Sequence, residues 1–183
     1  MKGQKKQEWI NAGCQLVAQE GFPAVQVEVL ARQLGKNKSS FYYYFGDLEI
    51  FEEALLEFHL SRTESLVVLL KQSNTIKPGM LDAFVDFKTD LFFHKQLRIH
   101  RRRPAFKACF EKVFEQFAAA VLDPWAFFLG LQNQKLLARA FLQLVAENFL
   151  LRITWEEYSY AWMEEYLDEV AVLLKQMHSG GEN

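Results

Sequence analysis

Cysteine is scarce in this chain of 183 residues: Cys14 and Cys109 stand far apart, with no CxxC or CxxH spacing. Two such residues make neither a disulfide framework nor a zinc knuckle, and they read as buried thiols of a reduced protein. Proline occurs four times and glycine nine times, and no low-complexity tract or repeat results. Long hydrophobic runs are missing too. No stretch free of Asp, Glu, Lys and Arg exceeds eleven residues, 124–134 being one, well short of the roughly 20 that a membrane span needs. The opening MKGQKKQEW is charged and offers no apolar signal region, so the expected location is the cytoplasm. Neither a Gly-rich phosphate loop nor a nucleophile elbow is present. His59, His94, His100 and His178 lack a spacing that joins them to Cys or acid ligands. The acid pairs Glu52-Glu53 and Glu164-Glu165 lie on amphipathic stretches and read as solvated faces. No enzyme, metal or cofactor is expected.

What the chain does have is apolar bulk: half its residues are hydrophobic, 17 of them Phe. That composition suits a globular protein with a sizeable core. Apolar residues recur at three and four spacing almost throughout and strand-like alternation is nearly absent, which predicts an all-α fold of about nine helices. The expected helices cover about 4–20, 27–34, a third from Asn37 or Lys38, and 48–72 capped by Asp47. After a loop at 73–79 come 80–103, 104–122 opening on Pro104, a break at Asp123-Pro124, and one short and one long helix over 125–153. Thr154 to Glu157, TWEE, has the form of a capping box opening a last helix over about 155–178, with residues 179–183 fraying. Charge divides the chain. Residues 1–46 carry six Lys and Arg against three Glu, a net +3, and residues 47–183 carry fifteen bases against twenty acids, a net −5. The expected organisation is a basic head, 1–46, followed by an acidic body, 47–183. Phosphate would be drawn to the head alone.

Residues 27–44, VEVLARQLGKNKSSFYYY, read as two short helices around a Gly-containing turn, the second bearing small polar, cationic and phenolic side chains. That is the make-up of a helix-turn-helix, one helix packing and one entering the major groove. Gly21-Phe22, Leu30-Ala31, Gly35 and the run Lys38-Ser39-Ser40-Phe41-Tyr42-Tyr43-Tyr44-Phe45 resemble the head of TetR-type transcriptional regulators, a match covering about residues 7–56. The resemblance implies a homodimer on a palindromic DNA operator, each head placing its third helix in one half-site. It also implies a cavity in each body for a small, largely apolar effector that releases a repressor. On this reading the DNA-facing residues are Gln26, Asn37, Lys38, Ser39, Ser40, Tyr42, Tyr43 and Tyr44, with Phe41 and Phe45 in the core. Asn37 would cap the third helix, Lys38 would meet phosphate or a guanine edge, and the two serines would let the helix approach the bases.

Several positions depart from the family pattern. Val25 stands where a Thr or Ser usually touches phosphate, Val29 replaces a polar residue, and Leu48 replaces a frequent Lys. Glu28 adds a negative charge. A shallower salt dependence of DNA binding is therefore expected. These same departures suit an alternative, a helix-turn-helix-derived protein-interaction module that has lost specific DNA binding.

The body is less specific. Phe84, Phe87, Leu91, His94, Arg98, Phe110 and Phe114 are candidate ligand-binding residues, although a Phe-rich stripe at helical spacing also makes plain core. Phe141, Leu144, Val145 and Phe149, with Trp162, Tyr166, Val170 and Leu174, are the candidate dimer interface, on two helices that can form a four-helix bundle with a second copy. The run 98–103, RIHRRR, reads as a solvated helix end, a holder for an anionic ligand group, or an extra DNA-side contact.

Overall fold

The computed structural model describes residues 2–73 and 75–179, and the side chains of 3–73, 75–173 and 176. Asn74, the tail after Ser179 and the side chain of Leu174 lie outside the described residues. Among those residues the fold is all-α, with nine α-helices and no strand: α1 Lys2–Glu20, α2 Val27–Leu34, α3 Lys38–Phe45, α4 Leu48–Gln72, α5 Leu81–Asp86, α6 Lys88–Ile99, α7 Pro104–Phe128, α8 Lys135–Arg152 and α9 Tyr160–Ser179. They pack as two units, residues 1–64 with 89–114, and residues 65–88 with 115–183.

The first unit is organised around aromatic rings from three helices. Trp9 of α1, Phe41 of α3 and Phe51 of α4 are fully buried, with Phe45 close behind. Phe41 meets Trp9 edge-on at 5.4 Å and Phe51 at 5.1 Å, and Phe45 meets Phe51 at 4.7 Å. Each such ring contributes about 1.5–3 kcal/mol by burial, and an edge-on pair adds about 0.5–1.5 kcal/mol. Gly13 lets this happen: a Cβ there would stand 2.6 Å from Cζ of Phe51 and 2.9 Å from Cδ2 of Leu55. From Thr89 on, α6 belongs to the same unit. Its Phe93 packs on Phe22 at 5.4 Å and on His59 at 4.7 Å, and Asp90 receives the guanidinium of Arg62, Nη2 to Oδ2, at 3.0 Å.

In the second unit, polar tips tie aromatic side chains to backbone. Trp125 Nε1 donates to the Ala138 carbonyl at 3.0 Å, Tyr158 Oη to that of Phe84 at 2.8 Å, and Tyr166 Oη to that of Val145 at 2.8 Å. Phe149 of α8 gathers Trp162 and Tyr166 of α9 at 5.6 and 5.5 Å.

Three expected boundaries move. The helix expected over 80–103 is two helices, interrupted at Phe87, whose φ of −100° and ψ of 24° leave the α-helical range. Phe87 is buried, and no Gly or Pro marks the break. Pro124 does not end its helix, because α7 runs on to Phe128. The lost N–H costs a hydrogen bond, but burial of Val121, Trp125 and Ala126 holds the turn in place. The chain reverses instead after Gly130, where the Leu131 N–H closes on the Ala126 carbonyl at 2.8 Å. Lastly, the Thr154–Glu157 box forms, with Glu157 N donating to Thr154 Oγ1 at 3.4 Å, yet it caps an isolated turn. Ser159 caps α9, its Oγ accepting from Trp162 N at 3.3 Å, because Tyr158 is buried on the Phe84 carbonyl first.

Candidate DNA-binding site

The site is built from α2, the turn after it and α3. α2 closes on Gly35 at φ 62°, a left-handed conformation that glycine adopts without a side-chain penalty. Lys36 N bonds the Ala31 carbonyl at 2.9 Å and Gly35 N that of Arg32 at 3.2 Å, the paired closure that lets a helix stop and reverse in one residue. Asn37 then starts α3 as its N-cap, Oδ1 accepting from Ser40 N at 3.0 Å, while Ser40 Oγ donates back to the Asn37 carbonyl at 2.8 Å. Asn37 and Ser40 therefore shape the helix N-terminus, and the exposed Ser39 between them has a free approach.

Helical spacing sorts the aromatic run. Phe41 and Phe45 point into the core at 0% and 2% exposure, and Tyr42 and Tyr43 point out at 51% and 64%. Tyr44 is intermediate: half-buried, it packs against the core and meets Phe45 at 6.3 Å. Two phenols therefore stand on the outer face, with the third at its edge.

The charges on this face are not idle. Lys38 Nζ lies 2.9 Å from Oε1 of Glu28, and both side chains are exposed. The hydrogen bond from Lys38 holds the Glu28 carboxyl below its usual range, and the same bond raises Lys38. A phosphate approaching Lys38 must displace that carboxylate. Lys36 is committed elsewhere, to an ion pair with Glu8 and a position 5.8 Å over the Trp9 ring. The departures from the family pattern have a packing reason. Val25 is buried at 3% exposure, and Val29 and Leu48 pack against the same core. Gln26 is exposed at the N-cap of α2, and its side chain makes no capping bond.

The candidate ligand residues do not gather in one unit. Phe84 and Phe87 belong to the second unit, and Leu91, His94, Arg98, Phe110 and Phe114 to the first. Phe84 stands 5.9 Å from Phe117. His94 stacks on Phe110 at 4.4 Å, and its Nδ1 is 3.5 Å from Nε2 of His59. Burial pushes His94 down to about 3. His59 is held well below the ordinary imidazole range by burial first, then by His94 and Arg62. Both rings are neutral near pH 7, so His94 brings no positive charge to an anion. A shallow cleft in the first unit, between Leu56, Leu60, Ala105 and Cys109, is lined by none of the seven.

Of the candidate interface residues, Phe149 and Tyr166 join α8 to α9 within the chain, with Trp162 stacked nearly parallel on Tyr166. Phe141, Val145 and Val170 are half-buried. Leu144 is 66% exposed and forms a stripe with Leu137 and Leu151, also exposed, each seven residues from the next. That heptad spacing is present in the sequence, but α8 is apolar on several sides, so periodicity alone does not single out the stripe.

Cys14 and Cys109 are free and buried, their thiols pushed up by burial to about 12 and about 11. Among the described residues no group of three His, Cys, Asp or Glu is placed to hold a metal ion, and no helix is long and apolar enough to cross a membrane.

Residues 10–53 match the family model described as bacterial regulatory proteins, tetR family. The whole fold is similar to a crystal structure described as that of a TetR-family transcriptional regulator from Rhodococcus sp., with a TM-score of 0.52 at 16% identity, covering 94% of this chain and 99% of that one. At that identity the likeness shows the fold. No curated protein matches the chain.

Proposed function

We propose, from the premise that this chain carries the helix-turn-helix head of the TetR family, that it is a ligand-released repressor acting as a homodimer on a palindromic operator. The observation that carries this reading is the split of α3. Phe41 and Phe45 lock one side into the core, while Lys38, Ser39, Tyr42 and Tyr43 are left together on the outside. A helix so held offers base edges and phosphates short polar groups, a cation and two phenols without a change of backbone. Exposed Leu137, Leu144 and Leu151 on α8, with Val172 and Leu173 on α9, support self-association through a helical bundle. An apolar effector that binds one arrangement of the dimer better than another would shift the population away from the head spacing that fits successive major grooves.

The Glu28–Lys38 pair favours the second reading, a head turned to protein partners, because it covers the cation at the start of the reading helix. Footprinting on DNA flanking the protein's own gene separates the two. Protection is expected, and Lys38→Ala with Tyr42→Ala should remove it while sedimentation still reports a dimer. A folded dimer that protects nothing at low salt would sink the repressor reading.

A further inference from the structure

The turn at residues 100–103, between α6 and α7, carries Arg101, Arg102 and Arg103, which the reading face of α3 does not account for. Arg103 has a structural role. Its Nη1 lies 3.2 Å from Oε1 of Glu52, and its guanidinium carbon sits 3.9 Å over the Phe106 ring. Arg101 and Arg102 are exposed, and among the described residues no ion pair holds either. The helix dipole explains only part of the run. Arg98 lies in the last turn of α6, where a cation is favoured, but Arg101 and Arg102 lie in the turn between the C-terminus of α6 and Pro104, the first residue of α7, where the two helix ends act on a cation in opposite senses. A helix N-terminus disfavours positive charge.

The turn is fastened to the head at two edges. His100 stands edge-on to Phe22 at 5.8 Å, Phe106 lies 4.2 Å from the same ring, and Phe22 comes just before Val25 and Gln26 at the start of α2. On the other side Arg103 grips Glu52, one helical turn, or about 6 Å, along α4 from Leu48. At both edges the residue in line for a phosphate, Val25 or Leu48, is apolar and packed against the core. The cations of this part of the unit are concentrated on the segment that carries the turn. Residues 47–64 hold six acids and one base, and residues 89–114 hold seven bases and two acids.

We propose that Arg101 and Arg102 bind backbone phosphates of the duplex beside the bases read by α3, supplying the neutralisation that Val25 and Leu48 do not. The proposal rests on the DNA-binding reading of the head. DNA is the occupant because the turn that carries the two cations is held against Phe22 and Glu52, which flank the helix-turn-helix on either side. Two guanidiniums with no carboxylate partner suit phosphate oxygens.

Fluorescence anisotropy of the full chain on a duplex of about 30 base pairs, from about 50 to 200 mM salt, measures the slope of log affinity against log salt. Arg101→Ala with Arg102→Ala should make that slope shallower by about two, and the double Lys replacement should keep it. The melting temperature should not move, since both side chains are exposed. Lys38→Ala serves as the control for the head and should remove about one unit of slope by itself. An unchanged slope in the double-Ala protein, with the Lys38→Ala loss still present, overturns the proposal and leaves the head reading standing. A wild-type chain that binds no duplex at the lowest salt overturns both.

Discussion

The two packing units expose different chemistry. In the first, the large apolar or aromatic side chains that reach solvent are few, Tyr43 at 64%, Ile99 at 56%, Tyr42 at 51% and Ile50 at 49%; in the second they are more numerous and all aliphatic or Phe, with Leu136 at 88%, Phe127 at 73%, Leu144 at 66% and Leu151 at 62%. The first unit carries fourteen bases against eleven acids, and the second seven against twelve. A phenol next to a lysine is completed by a polar anion, whereas a leucine stripe is completed by more apolar surface. The same all-helical construction thus presents one surface suited to nucleic acid and another suited to a second protein chain.

The largest expected effect contrasts the inside of one unit with the outside of the other. Phe41→Ala should cost about 3–5 kcal/mol of stability, because a fully buried ring in contact with Trp9 and Phe51 leaves a cavity. Leu144→Ala should cost under about 0.5 kcal/mol in the monomer, since that side chain is exposed. Its effect should appear as weaker self-association by sedimentation. Equal loss of folding stability in the two variants would erase the distinction.

Next comes acid sensitivity, which belongs to the first unit. His59 and His94 both titrate below the ordinary imidazole pKa when folded, so as pH falls below about 6.5 the unfolded chain binds more protons. Their neutral burial is tolerated fully above about pH 6.5, and stability is lost as pH falls below it, by up to about 1.4 kcal/mol per pH unit for each histidine. Denaturant midpoints at pH 7 and pH 5 should therefore differ, and His94→Phe should reduce the difference. A pH-independent midpoint in the wild type would mean that the pair is solvated.

The smallest effect tests the outer face. Glu28→Gln should strengthen DNA binding at a given salt concentration, because Lys38 reaches phosphate without first leaving a carboxylate and a repelling charge is removed. Weaker binding by that variant would show that Glu28 positions Lys38 instead of masking it.

The head was legible because its instructions are local. The bounds of α2 followed from Gly35, the start of α3 from Asn37, and the start of α4 from Asp47, whose Oδ1 accepts from Ile50 N at 2.9 Å. Each is a side-chain or φ requirement satisfied within a few residues. The break at Phe87 had no such marker. Pro124 and the TWEE box were markers that packing overrode, the first through Trp125 and the second through Tyr158.

By itself the sequence determined the helical period, the head with its caps, and the separation of Phe41 and Phe45 from Tyr42 and Tyr43, since these depend on spacing along one helix. Only the tertiary structure decided what long-range contacts control. It paired Glu28 with Lys38, buried the His59–His94 pair, placed the 100–103 turn against Phe22 and Glu52, and left Leu144 outside. Periodicity states which residues share a face, but burial and charge pairing depend on what another part of the chain brings to that face.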